Sequence, residues 1–90
     1  MIVLSGHIEV PLHDLSAVKA ELINHIALTR AEPGCITFSV TQRPEMPTLF
    51  DVYEKFDSMA SFEAHQTRVS RSKWAKITER VQRHYHIQEN

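Results

Sequence analysis

Residues 52–66, VYEKFDSMASFEAHQ, change character at their midpoint. Val52, Glu54 and Phe56 alternate with Tyr53 and Lys55, the period-2 pattern of a strand with one buried face. Asp57 and Ser58 then offer side-chain oxygens of the kind that cap a helix N-terminus. Met59, Phe62 and His65 follow at a spacing that lines one side of a helix. The stretch therefore reads as strand, cap and helix. It also places two polar residues in apolar company, Glu54 beside Phe50, Val52 and Phe56, and His65 beside Met59 and Phe62.

The same two periods organise the flanking sequence. Residues 2–10 alternate, with Ile2, Leu4, Gly6, Ile8 and Val10 on one face, and Pro11 ends the strand because it has no N–H for a ladder. Residues 14–31 follow the helical period, with Leu15, Val18, Leu22, Ile26 and Thr29 as one stripe, Ile23 beside it and Asp14 as N-cap. Glu32-Pro33-Gly34 stops this helix, since the residue before proline avoids the helical region and glycine accepts positive φ. Residues 35–42 alternate again, directing Ile36, Phe38 and Val40 to one face. A turn at 43–47 joins them to a strand over 48–56, an antiparallel hairpin. Beyond the helix at 58–66, residues 67–72 read as a break, 72–83 as a further helix carrying Trp74, Ile77 and Val81, and 84–88 as a last strand.

The order is β-α-β-β-α-β with the second helix split. It predicts an α+β fold of ferredoxin-like type, four antiparallel strands with the helices on one face. No repeat, linker or low-complexity run interrupts residues 1–90, so a single domain is expected. The uncovered sheet face would carry Val3, Ser5, His7, Thr37, Ser39, Leu49, Asp51 and Tyr53, too apolar a set to stay simply wet. A second copy of the chain covering it, in a symmetric homodimer, is the economical expectation. Size points the same way, because 90 residues bury only roughly 60–65% of the unfolded surface.

Composition excludes several function classes. The hydrophobic share is 42% and the charged share 23%, ordinary for a globular domain. A net charge of −1 without a basic stripe argues against nucleic acid or an anionic membrane as partner. The one cysteine, Cys35, allows no internal disulfide, which fits a reducing cytoplasm. The N-terminal MIVLSGHIEV reads as a strand rather than a signal peptide. Only two glycines, Gly6 and Gly34, are present, too few for a nucleotide cradle.

Two residues remain as candidates for chemistry. His65, turned toward the sheet, would act as general base or as a donor to a substrate oxygen. The plainer account is a core histidine satisfied by a backbone carbonyl or a carboxylate. Glu54 must be paired, protonated or near water, with His65, Arg30 and Lys76 as possible partners. Both aim at one aromatic volume formed by Phe38, Phe50, Phe56, Phe62 and Trp74, and an apolar cavity with few polar groups is how small-molecule sites look. His84 and His86 share a strand face, but two histidines do not make a metal site without a third ligand from another strand, such as His7, so no metal is expected.

RAEPGCITFSV (30–40), FDVYEKFDSMASFEAHQ (50–66) and RHYHI (83–87) together resemble the antibiotic biosynthesis monooxygenase domain family, which includes the quinol monooxygenases. The resemblance implies a ferredoxin-like protomer dimerising through its sheets into an α+β barrel. It also implies oxidation of a small aromatic quinol or anthrone by O₂ without metal, flavin or haem. By position, Glu54 matches the family's third-strand glutamate and His65 its helix histidine. One departure stands out: Phe56 occupies a position where many members carry tryptophan, keeping a similar shape but losing the indole N–H donor. Haem degradation fits poorly, since that branch uses a first-strand asparagine where this chain offers His7.

Overall fold

The computed structural model describes residues 1–90. Its elements are β1 (Ile2–Glu9), a 3₁₀ turn (Leu12–Asp14), α1 (Leu15–Arg30), β2 (Cys35–Gln42), β3 (Leu49–Phe56), α2 (Met59–Ser70), α3 (Lys73–Ile77) and β4 (Gln82–Glu89). The four strands form one antiparallel sheet in the order β2-β3-β1-β4. The fold is the expected α+β arrangement in the order β-α-β-β-α-β, with the second helical segment in two pieces. No helix is long and apolar enough to cross a membrane.

Alternation decides which sheet face is buried. Ile2, Leu4 and Ile8 of β1 and Phe50, Val52 and Phe56 of β3 pack with Val18, Phe62 and Trp74 of the helices into one core. On the other face Thr37, Asp51 and Tyr53 are exposed and Val3, Ser5, His7 and Ser39 are half-buried; Leu49 alone of the predicted set is buried.

Several local expectations are corrected. The buried stripe of α1 is Val18, Glu21, His25 and Thr29, with Leu22 and Ile26 at its margin and Ile23 76% exposed. Polar residues can occupy the inner face because they have neighbours there. Glu21 accepts from Asn24 Nδ2 at 3.0 Å, and Thr29 Oγ1 accepts from Arg68 at 3.1 Å. Asp14 makes no side-chain cap, since its backbone is already helical after the 3₁₀ turn. Its carboxylate instead accepts two hydrogen bonds from the Arg80 guanidinium. In β2 the register slips between Cys35 and Thr37. The bulge turns Ile36 outward and lets Cys35 pack against the core.

The helix boundaries move as well. α2 runs through Thr67 and Val69 to Ser70, because β-branched residues lower helix propensity only slightly and no glycine or proline intervenes. Its N-cap is Ser58, whose hydroxyl accepts from Ser61 N at 3.2 Å. Met59 sits at the first turn and is partly exposed, so it does not share the buried stripe of Phe62 and His65. α3 is a single turn and a half capped by Ser72, and Val81 lies beyond it, just before β4.

Gly34 ends the first helical turn region with φ +85°. Gly6 is the more demanding position, with φ +152° and a location where a Cβ would collide with the carbonyl of His84 on β4. Gly6→Ala is therefore expected to cost about 1–3 kcal/mol, through a backbone region open essentially to glycine alone. Urea unfolding measures this. An unchanged midpoint would mean that β1 and β4 do not approach as closely as described.

Candidate functional site

The strand period and the helix period meet at Glu54 and His65. Glu54 lies on the buried face of β3, in register with Leu4 on one side and Phe38 on the other. His65 lies on the inner face of α2, one turn beyond Phe62, and is 2% exposed. The two side chains approach, with His65 Nε2 3.7 Å from Glu54 Oε1. That is an electrostatic contact, too long for a hydrogen bond.

The other imidazole nitrogen is firmly held. His65 Nδ1 lies 3.0 and 3.1 Å from the two carboxylate oxygens of Glu32, on the turn that follows α1. Arg68, one helical turn beyond His65, donates through Nε to the same carboxylate and through its terminal nitrogen to Thr29 Oγ1. A carboxylate can only accept, so the network assigns the proton of neutral His65 to Nδ1. The lone pair of Nε2 then faces Glu54.

Aromatic rings close the space around this pair. Phe56 lies 4.9 Å and Phe38 5.9 Å from the His65 ring, centroid to centroid. His25 of α1 stacks on Trp74 at 4.4 Å, meets Phe38 edge-on at 5.4 Å and lies 6.4 Å from His65. Phe62 packs on Phe56 at 5.8 Å. Two buried polar atoms here, His25 Nδ1 and Glu54 Oε1, have no hydrogen-bond partner.

Burial shapes the protonation states. Loss of hydration, with Glu32 nearby as a second carboxylate, pushes Glu54 up to about 7. Loss of hydration also pulls His25 down to about 3, helped by the positive charge of Arg68 and Arg83. His65 is drawn below the usual imidazole value by burial, only partly offset by its bond to Glu32. The centre thus offers a neutral imidazole lone pair beside an acid that exchanges its proton near neutrality.

Of the residues singled out from sequence, Glu54, His65, Phe38 and Phe56 come together. Phe62 supports Phe56 from behind, and Trp74 reaches the centre only through His25. Phe50 stands apart: four residues before Glu54 on the same strand, it is displaced by about 13 Å and pairs with Ile8 and Gln42. Arg30 does not pair with Glu54, because its guanidinium donates to the Phe38 carbonyl at 2.9 and 3.1 Å. Lys76 is exposed and likewise leaves Glu54 alone.

His25, Glu32 and Arg68 escape sequence reasoning. His25 shares the helical stripe of Val18 and Leu22, and Arg68 lies three residues after His65, so periodicity carried a partial signal for both. Nothing local ties Glu32 to a histidine 33 residues away. The surface clefts reach neither Glu54 nor His65. One is lined by Glu32, Pro33, Ala60, Ser61, Ala64 and Arg68, which puts it against the outer side of the Glu32–Arg68 pair.

A family model described as antibiotic biosynthesis monooxygenase matches residues 1–77. No curated protein matches the chain. Among solved structures, a "Putative antibiotic biosynthesis monooxygenase" of Nitrosomonas europaea is similar with a TM-score of 0.80 and 19% identity, over 100% of this chain and 98% of that one. A protein of Bacteroides thetaiotaomicron with the same description gives 0.80 and 21%, over 100% and 86%. MupZ of Pseudomonas fluorescens gives 0.76 and 18%, over 96% and 68%. At such identities the structural likeness establishes the fold and leaves the reaction open.

The two shifted groups predict opposing pH dependences. Glu54 binds its proton more tightly folded (about 7) than unfolded, where a glutamate has a pKa of about 4.3. Its contribution to stability is complete below the unfolded value and is lost as pH rises through 7. His25 behaves conversely: its contribution is present above the unfolded value of about 6.5 and is lost as pH falls toward 3. Glu54→Gln should therefore stabilise the protein more at pH 8 than at pH 5, read by urea unfolding at the two pH values. An equal effect at both would contradict the raised Glu54 pKa.

Proposed function

The chain belongs to the antibiotic biosynthesis monooxygenase family, and we propose that it oxidises a small aromatic, quinol-type substrate with O₂ at the centre formed by Glu54 and His65. The observation that carries this reading is the buried pair itself. A carboxyl group poised near neutrality stands 3.7 Å from an imidazole lone pair, against Phe38 and Phe56, with no hydrogen bond between them. A substrate hydroxyl seated between the two would lose its proton to this pair. The resulting phenolate is electron-rich enough to react with O₂ without metal, flavin or haem. Glu54, with a pKa of about 7, is suited to take up and release that proton near neutrality, and aromatic walls keep water from the reactive intermediate.

His65 Nε2 is the proposed base and Glu54 the group that relays or stabilises the proton. Phe38, Phe56 and Trp74 with its stacked His25 would form the walls, Phe62 supports them, and Phe50 belongs to the core beyond. The approach would run past Glu32 and Arg68, which line one of the surface clefts. We further propose that the 90 residues act as one domain and that two copies associate through the open sheet face.

A second reading is a non-catalytic module that binds a small apolar ligand. It is favoured by Phe56, which lacks the N–H that tryptophan would supply. Oxygen uptake with a panel of hydroquinones and hydroxylated polycyclic aromatics separates the two. The monooxygenase reading expects uptake with at least one of them, reduced on the order of 10²-fold in His65→Ala and in Glu54→Gln. Equal rates in wild type and His65→Ala would remove the assigned role of His65. Saturable thermal stabilisation by a compound that is never turned over would favour the binding module.

A further inference from the structure

The sheet face away from the helices carries a second group of titratable side chains. His7 of β1 and His84 of β4 are directly opposed in the ladder, and their rings stack 4.6 Å apart at 20°. Glu9 follows His7 on the same face and reaches diagonally across to His84, placing Oε2 2.8 Å from Nε2. One ligating atom from each of the three lies within 4.8 Å of the others. We propose that His7, Glu9 and His84 form a binding site for one divalent transition-metal ion of the class that prefers imidazole, Zn²⁺, Ni²⁺ or Cu²⁺.

Ligand chemistry supports that choice. Two neutral imidazoles and one carboxylate make a donor set that suits these ions rather than Mg²⁺ or Ca²⁺, which favour all-oxygen sites. Three protein ligands leave further positions for water. The backbone beneath is rigid, because β1 and β4 are hydrogen-bonded neighbours that approach closely at Gly6, the residue before His7. In the single chain the side chains of His84 and Glu9 above it are about half exposed, at 48% and 46%. Modest rotations can therefore bring the three donors to the ~2.0–2.2 Å bonding distances such ions require.

Neighbouring charge does not oppose a cation. Asp51 faces His7 from β3 and brings negative charge, while the nearby Arg43 is tied to that carboxylate through Nε and a terminal nitrogen. His86, although on the same face, stands opposite Ser5 and outside the cluster. On metal binding the nitrogen of His84 that meets Glu9 gives up its hydrogen bond, and any proton on it is released. Glu54 and His65 lie on the opposite side of the sheet, so this site is separate from the proposed reaction centre. A second copy covering the open face would enclose each chain's site between the subunits, each ion keeping the three ligands of its own chain.

Calorimetric titration of Zn²⁺ and of Ni²⁺ into chelator-treated protein without a histidine tag tests the site. One ion should bind per chain, and each of His7→Ala, His84→Ala and His84→Gln should weaken binding at least about tenfold. Glu9→Gln should weaken it less, and His86→Ala should match wild type. Circular dichroism checks that each variant is folded, which is expected because the changed side chains are not in the core. Absence of saturable Zn²⁺ and Ni²⁺ binding, undiminished binding in folded His84→Ala, or equal affinity for Mg²⁺ would each overturn the proposal.

Discussion

A single carboxylate ties the helical layer to itself and orients the buried centre. Glu32 lies on the turn after α1 and accepts from His65 and Arg68, both on α2. Arg68 extends the link back to Thr29 near the end of α1. Burying such groups is costly unless each finds a partner, and here each donor meets an acceptor. The consequence reaches the sheet. Because Nδ1 of His65 is occupied, its Nε2 faces Glu54, and the imidazole is held against Phe38 and Phe56.

The inner side of the centre is less complete. Glu54 Oε1 and His25 Nδ1 are buried without hydrogen-bond partners. In a short chain with a thin core, unpaired buried groups work against stability. Folded proteins keep them chiefly where they serve another purpose. Burial has its own chemical effect, since it makes Glu54 a much weaker acid and His25 a much weaker base than either would be in water. Two groups with opposite responses to pH are thereby packed around the same Phe38 ring and beside the same His65.

The sheet separates two chemistries. Even-numbered positions of β1 and β3 build the core and carry Glu54, while odd-numbered positions carry Ser5, His7, Asp51 and Tyr53 on the open face. Every residue of β4 is exposed, because the helices sit over the other strands and leave this edge uncovered. Its outward histidines are exposed in the single chain, whereas His25 and His65 on the covered side are locked by packing.

The strands, the helix order and the meeting of Glu54 with His65 were legible in the sequence, because periods of two and near 3.6 are local properties that survive whatever packs against them. Boundaries were less legible. The bulge at Ile36, the extension of α2 to Ser70 and the early start of β4 at Gln82 depend on contacts between elements rather than on propensity. Asp14 had the chemistry of a cap, yet its carboxylate went to Arg80, 66 residues away. Likewise nothing local in the sequence sets His25 apart; its place follows from Trp74 and Phe38, which pack against its ring. By itself the sequence determined which face of each element turns inward, since hydrophobic spacing decides that. Only the tertiary structure decided that Glu32 would hold His65, that Phe50 would lie away from the centre, and that Glu9 would join His7 and His84, because hydrogen bonds and ion pairs act over a few ångströms between residues the chain itself keeps far apart.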